Sequence, residues 1–480
     1  MSASTPDPRR WKALALLCVA AFMVILDASI VTVAVPSIEK GLDFSAGGVQ
    51  WVLTAYVVTF GGLLLFGGRA ADLLGRRRVF MAGVGLFALA SLWCGLAGSA
   101  GMLIAARGVQ GVAAAVMTPA AFSILLAAFP EGAERNKAIG VWGAVSGVGG
   151  TAGSLIGGPL TDGLGWEWIF FINVPVGIGL LALSPVLLSE SRGRMLNRGM
   201  DLAGAVLITA ALMLLIYGVA QAPAYGLTGG RTVGSLAGSL LLVGVFIGVE
   251  SRSAAPLVPL GIFASRSLVA GNVIGLAGGM AAFGQGYVLT QYGQQVLGWS
   301  AARFGLMTAV LPVLAVAGSI IGQQLVTRWG ARPVAVVSMS LLGVACLAWT
   351  QLTVGGNYVG VILPGLVIFG PGLGAGCTAG SIAAVAGVSQ ERSGLASGIN
   401  NAAFQIGGAL GVALLSTVAV SHASGPGGSL AALTHGYRYA FIAAIGFGVL
   451  GLAAAISLPG RRRKGAEPRV ASRQVVSVAD

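Results

Sequence analysis

The chain has 480 residues, 56% of them hydrophobic and only 9% charged, whereas an ordinary soluble domain is about 25% charged. So little polar side chain cannot coat a water-soluble globule of this length, which excludes a cytosolic enzyme, a secreted domain and a disordered protein. The 28 Lys and Arg against 15 Asp and Glu give a net charge of +13, but they sit in short clusters between apolar runs, which argues against a nucleic-acid surface.

A membrane-spanning helix needs about 20 mostly apolar residues. In chain order such runs lie near 13–36, 48–68, 79–99, 102–128, 137–160, 166–188, 202–220 and 232–250, then near 268–296, 304–326, 333–353, 357–386, 396–420 and 437–458. They lack period-two alternation and are twice too long for barrel strands, so the expected fold is an all-α membrane protein with fourteen spans. With the N-terminus inside, 23 of the 28 basic residues fall in inner segments and 4 in outer ones (Lys40, Arg231, Arg303, Arg438). That asymmetry predicts both termini to be cytoplasmic.

The segment after the second run reads Leu73-Leu74-Gly75-Arg76-Arg77, and that after the tenth reads Arg328-Trp329-Gly330-Ala331-Arg332. The pairing suggests two parallel repeats with a substrate site between them. The expected organisation is an N-terminal six-helix bundle over 1–190, two inserted spans with their linkers over 191–265, a C-terminal six-helix bundle over 266–460 and a basic cytoplasmic tail over 461–480.

Charge inside the spans is expensive and marks function by default. Asp27 in the first run and Arg107 in the fourth are the charges the runs enclose, at depths of about 12 Å and about 9 Å from the outer side at 1.5 Å per residue. They either pair with one another or face one water-filled cavity. The stretch Gly68–Arg78 reads as an inner loop, in which glycines make the turn, Asp72 caps or braces a helix end and the arginines hold the loop inside. In the fifth run Gly149, Gly153 and Gly157 recur every fourth residue, as in close helix packing. The cavity is expected to be apolar with a few polar groups. Gln285 and Tyr292 in the ninth run and Asn401 and Gln405 in the thirteenth are candidates, with interhelical hydrogen bonding as the plainer alternative. The four cysteines form no CxxC pair and there are two histidines, so no metal site, disulfide framework or cofactor is expected.

These segments together resemble the major facilitator superfamily, in particular its fourteen-helix drug:proton antiporters. Gly68–Arg78 is similar to the superfamily's signature segment between helices two and three, with Ala70 where a leucine is common; Gly68, Asp72, Gly75, Arg76 and Arg77 carry the likeness. Arg107-Gly108-Val109-Gln110-Gly111 resembles the helix-four motif, and Leu26-Asp27-Ala28-Ser29 through Pro36 the helix-one motif of drug exporters. Gln50–Tyr56, Trp166–Pro175, Asp201–Gly204 and Pro256–Leu260 fit as well. Helix five departs from the pattern, with Ser154 where proline is usual and Pro159 further along. The resemblance implies proton-coupled efflux of antibiotics or other amphipathic drugs by a monomer in the bacterial inner membrane, in contact with lipid, with Asp27 and Arg107 coupling the proton. An importer or facilitator of a small metabolite on the same fold is the alternative.

Overall fold

Backbone polar groups in lipid must be satisfied within the segment, and a chain with this apolar periodicity meets that demand by forming helices. The computed structural model describes residues 9–44, 49–190, 202–226, 228–253, 256, 258–389, 392–423 and 429–460. Among them lie α1 (Arg10–Gly41), α2 (Gln50–Leu74), α3 (Arg76–Gly95), α4 (Ala100–Ala128), α5 (Ala133–Leu164), α6 (Trp168–Leu187), α7 (Leu202–Tyr225) and α8 (Gly230–Glu250). They are followed by α9 (Arg266–Val296), α10 (Arg303–Trp329), α11 (Ala331–Trp349), α12 (Tyr358–Val385), α13 (Ser393–His422) and α14 (Leu430–Ser457). Thirteen are long and apolar enough to cross a membrane, and α7 contributes a shorter apolar stretch, Ala203–Val219, within a helix of 24 residues that is about 36 Å long. The linker 191–201 and the tail 461–480 lie outside the described residues.

Several helices, among them α1, α2 and α5, overrun the apolar runs at one or both ends. The expected inner loop at Gly68–Arg78 is not a loop: α2 continues to Leu74, α3 begins at Arg76, and the joint is Gly75 alone, at φ 106°. Its counterpart is Gly330, at φ 91°, between α10 and α11. A one-residue joint of this kind needs a conformation that side chains with a Cβ rarely adopt. At α1 the overrun takes the helix to Gly41, 14 residues or about 21 Å beyond Asp27, whereas the apolar stretch Arg10–Val35 ends 8 residues beyond it, about 12 Å.

Two six-helix bundles repeat one packing scheme. α1 packs on α5, and α4 on both α2 and α3; in the second bundle α9 packs on α13, and α12 on both α10 and α11. The inserted α7 and α8 pack on each other, and α7 lies against α2 of one bundle and α13 of the other. Ile208 and Leu212 of α7 share an apolar cluster with Leu65 and Leu395, while Leu240 and Leu241 of α8 are exposed, as a lipid-facing surface requires.

Candidate functional site

Five helices of the first bundle converge on one carboxylate. Asp27 (α1) and Arg107 (α4) are fully buried, at 0% and 1% exposure, and pair at 2.6 Å between Oδ2 and Nη1. Of the two arrangements the sequence allows, the chain adopts the direct pair. Gln110, one turn beyond Arg107 on the same face of α4, donates from Nε2 to Asp27 Oδ1 at 2.8 Å and to Ser91 Oγ of α3 at 2.8 Å. Its Oε1 accepts from Arg107 Nη1 at 2.6 Å. Asn173 of α6 donates to the same Oδ1 at 2.9 Å. Arg107 Nε donates to the Val52 carbonyl of α2 at 3.0 Å, and the guanidinium lies 4.2 Å from the centre of the Tyr56 ring. Three donors thus occupy the carboxylate. A proton on either oxygen removes the negative charge and turns one acceptor site into a donor, which weakens the hold on all three.

Asn173, Ser91, Tyr56 and the Val52 carbonyl were not legible as site members. Asn173 does carry a signal: it is the one side-chain amide in the sixth apolar run, two residues before Pro175. Pro175 has no N–H to offer the Phe171 carbonyl, and α6 breaks there into Trp168–Phe171 and Asn173–Leu187. The break places the amide at the turn. Gly111 lets α2 approach α4, where an added Cβ would meet Thr59 and the Tyr56 carbonyl.

A second cluster joins the two bundles at the end that carries residues 9 and 460. Asp72, near the end of α2, accepts from the backbone N–H groups of Gly394 and Leu395, each at 3.1 Å, and from Arg76 Nη2 at 3.2 Å. Gly394 and Leu395 are the second and third residues of α13, whose own N-cap position, Arg392, provides no side-chain cap. A carboxylate from the other bundle therefore satisfies those orphan donors and meets the positive end of the helix. Gly68 and Gly394 face each other, and a Cβ on either would strike the other's carbonyl. At the same end Ser123 and Ser393 share a hydrogen bond at 2.8 Å, Asn136 donates to Thr327 at 3.0 Å, and Ser319 donates to the Gly140 carbonyl at 2.9 Å. Arg77 ties α3 to the end of α6 through Glu190 and the Leu188 carbonyl. Asp27 and Arg107 are thus not the only charges the helices bury: Arg69, Asp72, Arg76 and Glu250 are all at most 3% exposed. They lie at helix ends, at or beyond the limits of the apolar runs, where protein shields them.

The glycine series of α5 packs on the helix that carries Asp27. A Cβ at Gly153 would lie 2.7 Å from Ser29 Cβ and 2.9 Å from the Leu26 carbonyl; Gly149 abuts Ile25, and Gly157 abuts Ile30 and Val33. Ser154 sits inside α5, which runs unbroken through Pro159 to Leu164. Gly153→Val should push α1 off α5 beside Asp27, at a cost of about 1–3 kcal/mol, and lower transport severalfold. Gly158→Ala, with open space at its Cβ, should leave transport unchanged in the same assay.

Among the described residues no hydrogen bond joins the four cavity candidates to one another. Tyr292 is fully buried in the second bundle, in the π-helical turn Tyr292–Val296 that ends α9, and its hydroxyl donates to the Thr353 carbonyl at 2.6 Å. Gln285 is 6% exposed and donates to its own helix at Ala282, with its Oε1 buried and without a partner. Asn401 and Gln405 are half-buried one turn apart on α13, and Asn401 donates to the Ser397 carbonyl.

Comparison with known proteins fits this architecture. The model of the Major Facilitator Superfamily matches residues 17–412 and again 273–479. The chain is 40% identical over 453 residues to the cephamycin export protein CmcT of Amycolatopsis lactamdurans, covering 93% of this chain and 91% of that one. It is 38% identical to the puromycin resistance protein pur8 of Streptomyces alboniger, covering 92% and 90%. Among solved structures, the human organic anion transporter MFSD10 (TETRAN) superposes with a TM-score of 0.64 over 94% of this chain and 100% of that one, at 16% identity, a likeness of fold alone. Family model and relatives alike extend over nearly the whole length of the two bundles, and the chain belongs to the Major Facilitator Superfamily.

Proposed function

We propose that this transporter exports antibiotics or related amphipathic compounds across the bacterial cytoplasmic membrane in exchange for protons. The observation that carries the reading is the buried Asp27–Arg107 pair, a proton-accepting carboxylate held in the middle of α1 with three donors that one proton would disturb. Relatives named for cephamycin export, puromycin resistance and, at 32% identity, lincomycin resistance support the class of cargo. The basic asymmetry of the sequence supports a cytoplasmic chain-end face. The ties from Asp72, Ser123, Asn136 and Ser319 then close the cytoplasmic side, as expected of the state that releases its load outward. A proton entering from outside neutralises Asp27, frees Arg107 or an amide, and biases the bundles towards the opposite facing; a drug bound from the cytoplasm opposes that bias, which yields exchange.

The test is expression in a drug-sensitive bacterial host, with inhibitory concentrations measured across chemically varied antibiotics. A severalfold rise for at least one compound, abolished by a protonophore, is the expected result. Wild-type amounts of inserted protein with no rise for any compound, or with increased drug accumulation, would overturn export.

A further inference from the structure

The outer cations of the second bundle have no acid to answer them. Between residues 266 and 460 the sequence holds one acidic residue, Glu391, in the segment between α12 and α13. Arg438 lies near the start of α14, at the face opposite the chain ends. Its Nε donates to the Thr350 carbonyl at the end of α11, at 2.6 Å, which fixes the guanidinium, and among the described residues no carboxylate pairs with it. It lines a notch of about 350 Å³ between α11 and α14 with Thr350, Gln351, His435, Tyr439 and Ile442.

The walls of this notch are built. Tyr439 is stacked on His422 at 4.4 Å between ring centres and flanked by His435 at 4.8 Å. His435 Nδ1 lies 3.1 Å from the His422 carbonyl, which accepts its proton and leaves Nε2 as the ring's remaining polar atom. Below the notch the surface turns apolar: Ile442 on α14 and Val344 and Leu347 on α11 are exposed at 52%, 49% and 56%. A cation fixed at the head of a lipid-facing apolar strip matches an anionic head on an acyl tail.

We propose that this notch binds a phosphate oxyanion, carried by a phospholipid of the leaflet opposite the chain ends. The guanidinium presents paired donors to the phosphate, and His435 Nε2 takes a hydroxyl or ammonium hydrogen of the headgroup. Ile442, Val344 and Leu347 receive the acyl chains. The site stands apart from Asp27 and the gate and does not depend on the exported compound; only the naming of the leaflet as the outer one follows from the orientation proposed above.

The test is native mass spectrometry of the delipidated full chain in detergent, titrated with phosphatidylglycerol. One retained lipid is expected for the wild type. Arg438→Gln should weaken that step about fivefold, the scale of one surface cation near a membrane. Because Arg438 also ties α14 to α11, Ile442→Trp serves as a second variant; it fills the notch, keeps every charge and should weaken the same step. An excess of inorganic phosphate distinguishes the source. Lipid retained in its presence supports the phospholipid. Phosphate that binds at Arg438 and displaces the lipid at equal concentration overturns the lipid assignment in favour of the free ion. Unchanged lipid binding in both variants overturns the site.

Discussion

Asp27→Asn is expected to abolish uphill export and drug-driven proton movement in proteoliposomes. The amide keeps the shape of the carboxylate and still offers one oxygen to Arg107, but it cannot cycle a proton. It also strands a guanidinium at 1% exposure, and breaking a buried pair on one side costs about 3–5 kcal/mol. Lower yield of folded protein is therefore expected alongside the loss of coupling. The double variant Asp27→Asn/Arg107→Gln removes both charges and should recover yield without recovering export, which separates folding from coupling. Arg107→Lys keeps the charge but cannot serve Val52, Asp27 and Gln110 together, so it should transport poorly. If Asp27→Asn still drives export that a protonophore collapses, the coupling carboxylate lies elsewhere.

The spans and the two ionisable residues inside them were legible because lipid imposes a coarse rule: apolar runs of fixed length, with each interior charge a costly exception. The partners of those charges were not. Asn173 reaches Asp27 because α6 breaks before Pro175, and Ser91 joins through an amide on a third helix; neither follows from spacing along one strip. The segment around Asp72 was misread as a loop because hydropathy falls where protein takes over from lipid, and the helix continues through that change. Tyr292 was placed in a cavity on its polarity. Its hydroxyl is used at Thr353, a contact that depends on how α9 ends and where the segment between α11 and α12 passes.

Asp72→Asn should open the chain-end gate. The neutral side chain retains one acceptor in place of two, loses its attraction to the positive end of α13, and removes the Asp72 charge from buried Arg76. Charge-assisted hydrogen bonds of this kind contribute about 1.5–3 kcal/mol, so the closed state should lose roughly 10- to 100-fold in relative population. Ser123 and Ser393, whose hydroxyls lie 2.8 Å apart across the two bundles, provide the readout. Cysteines at both positions should cross-link on oxidation in the otherwise wild-type chain and much more slowly with Asp72→Asn, while insertion persists because the arginines remain. Equal cross-linking and wild-type transport in the variant would reduce Asp72 to a helix cap without influence on facing.

The scarcity of acids has an electrical consequence. The second bundle, with Glu391 as its one acid, has no carboxylate inside its spans, and Asp72 and Glu250 stay at the chain-end face. If Asp27 alone carries the proton in the proposed exchange, one proton moves per turnover. Export of a neutral compound then moves one positive charge inward in each cycle and draws on the voltage as well as the pH difference. At about 2.3 kcal/mol per elementary charge per 100 mV, the voltage alone supports roughly a 50-fold concentration ratio. A singly charged cation leaving against one proton carries no net current, so its export answers only to the pH difference, and the charge of the cargo decides which part of the proton-motive force this transporter can use.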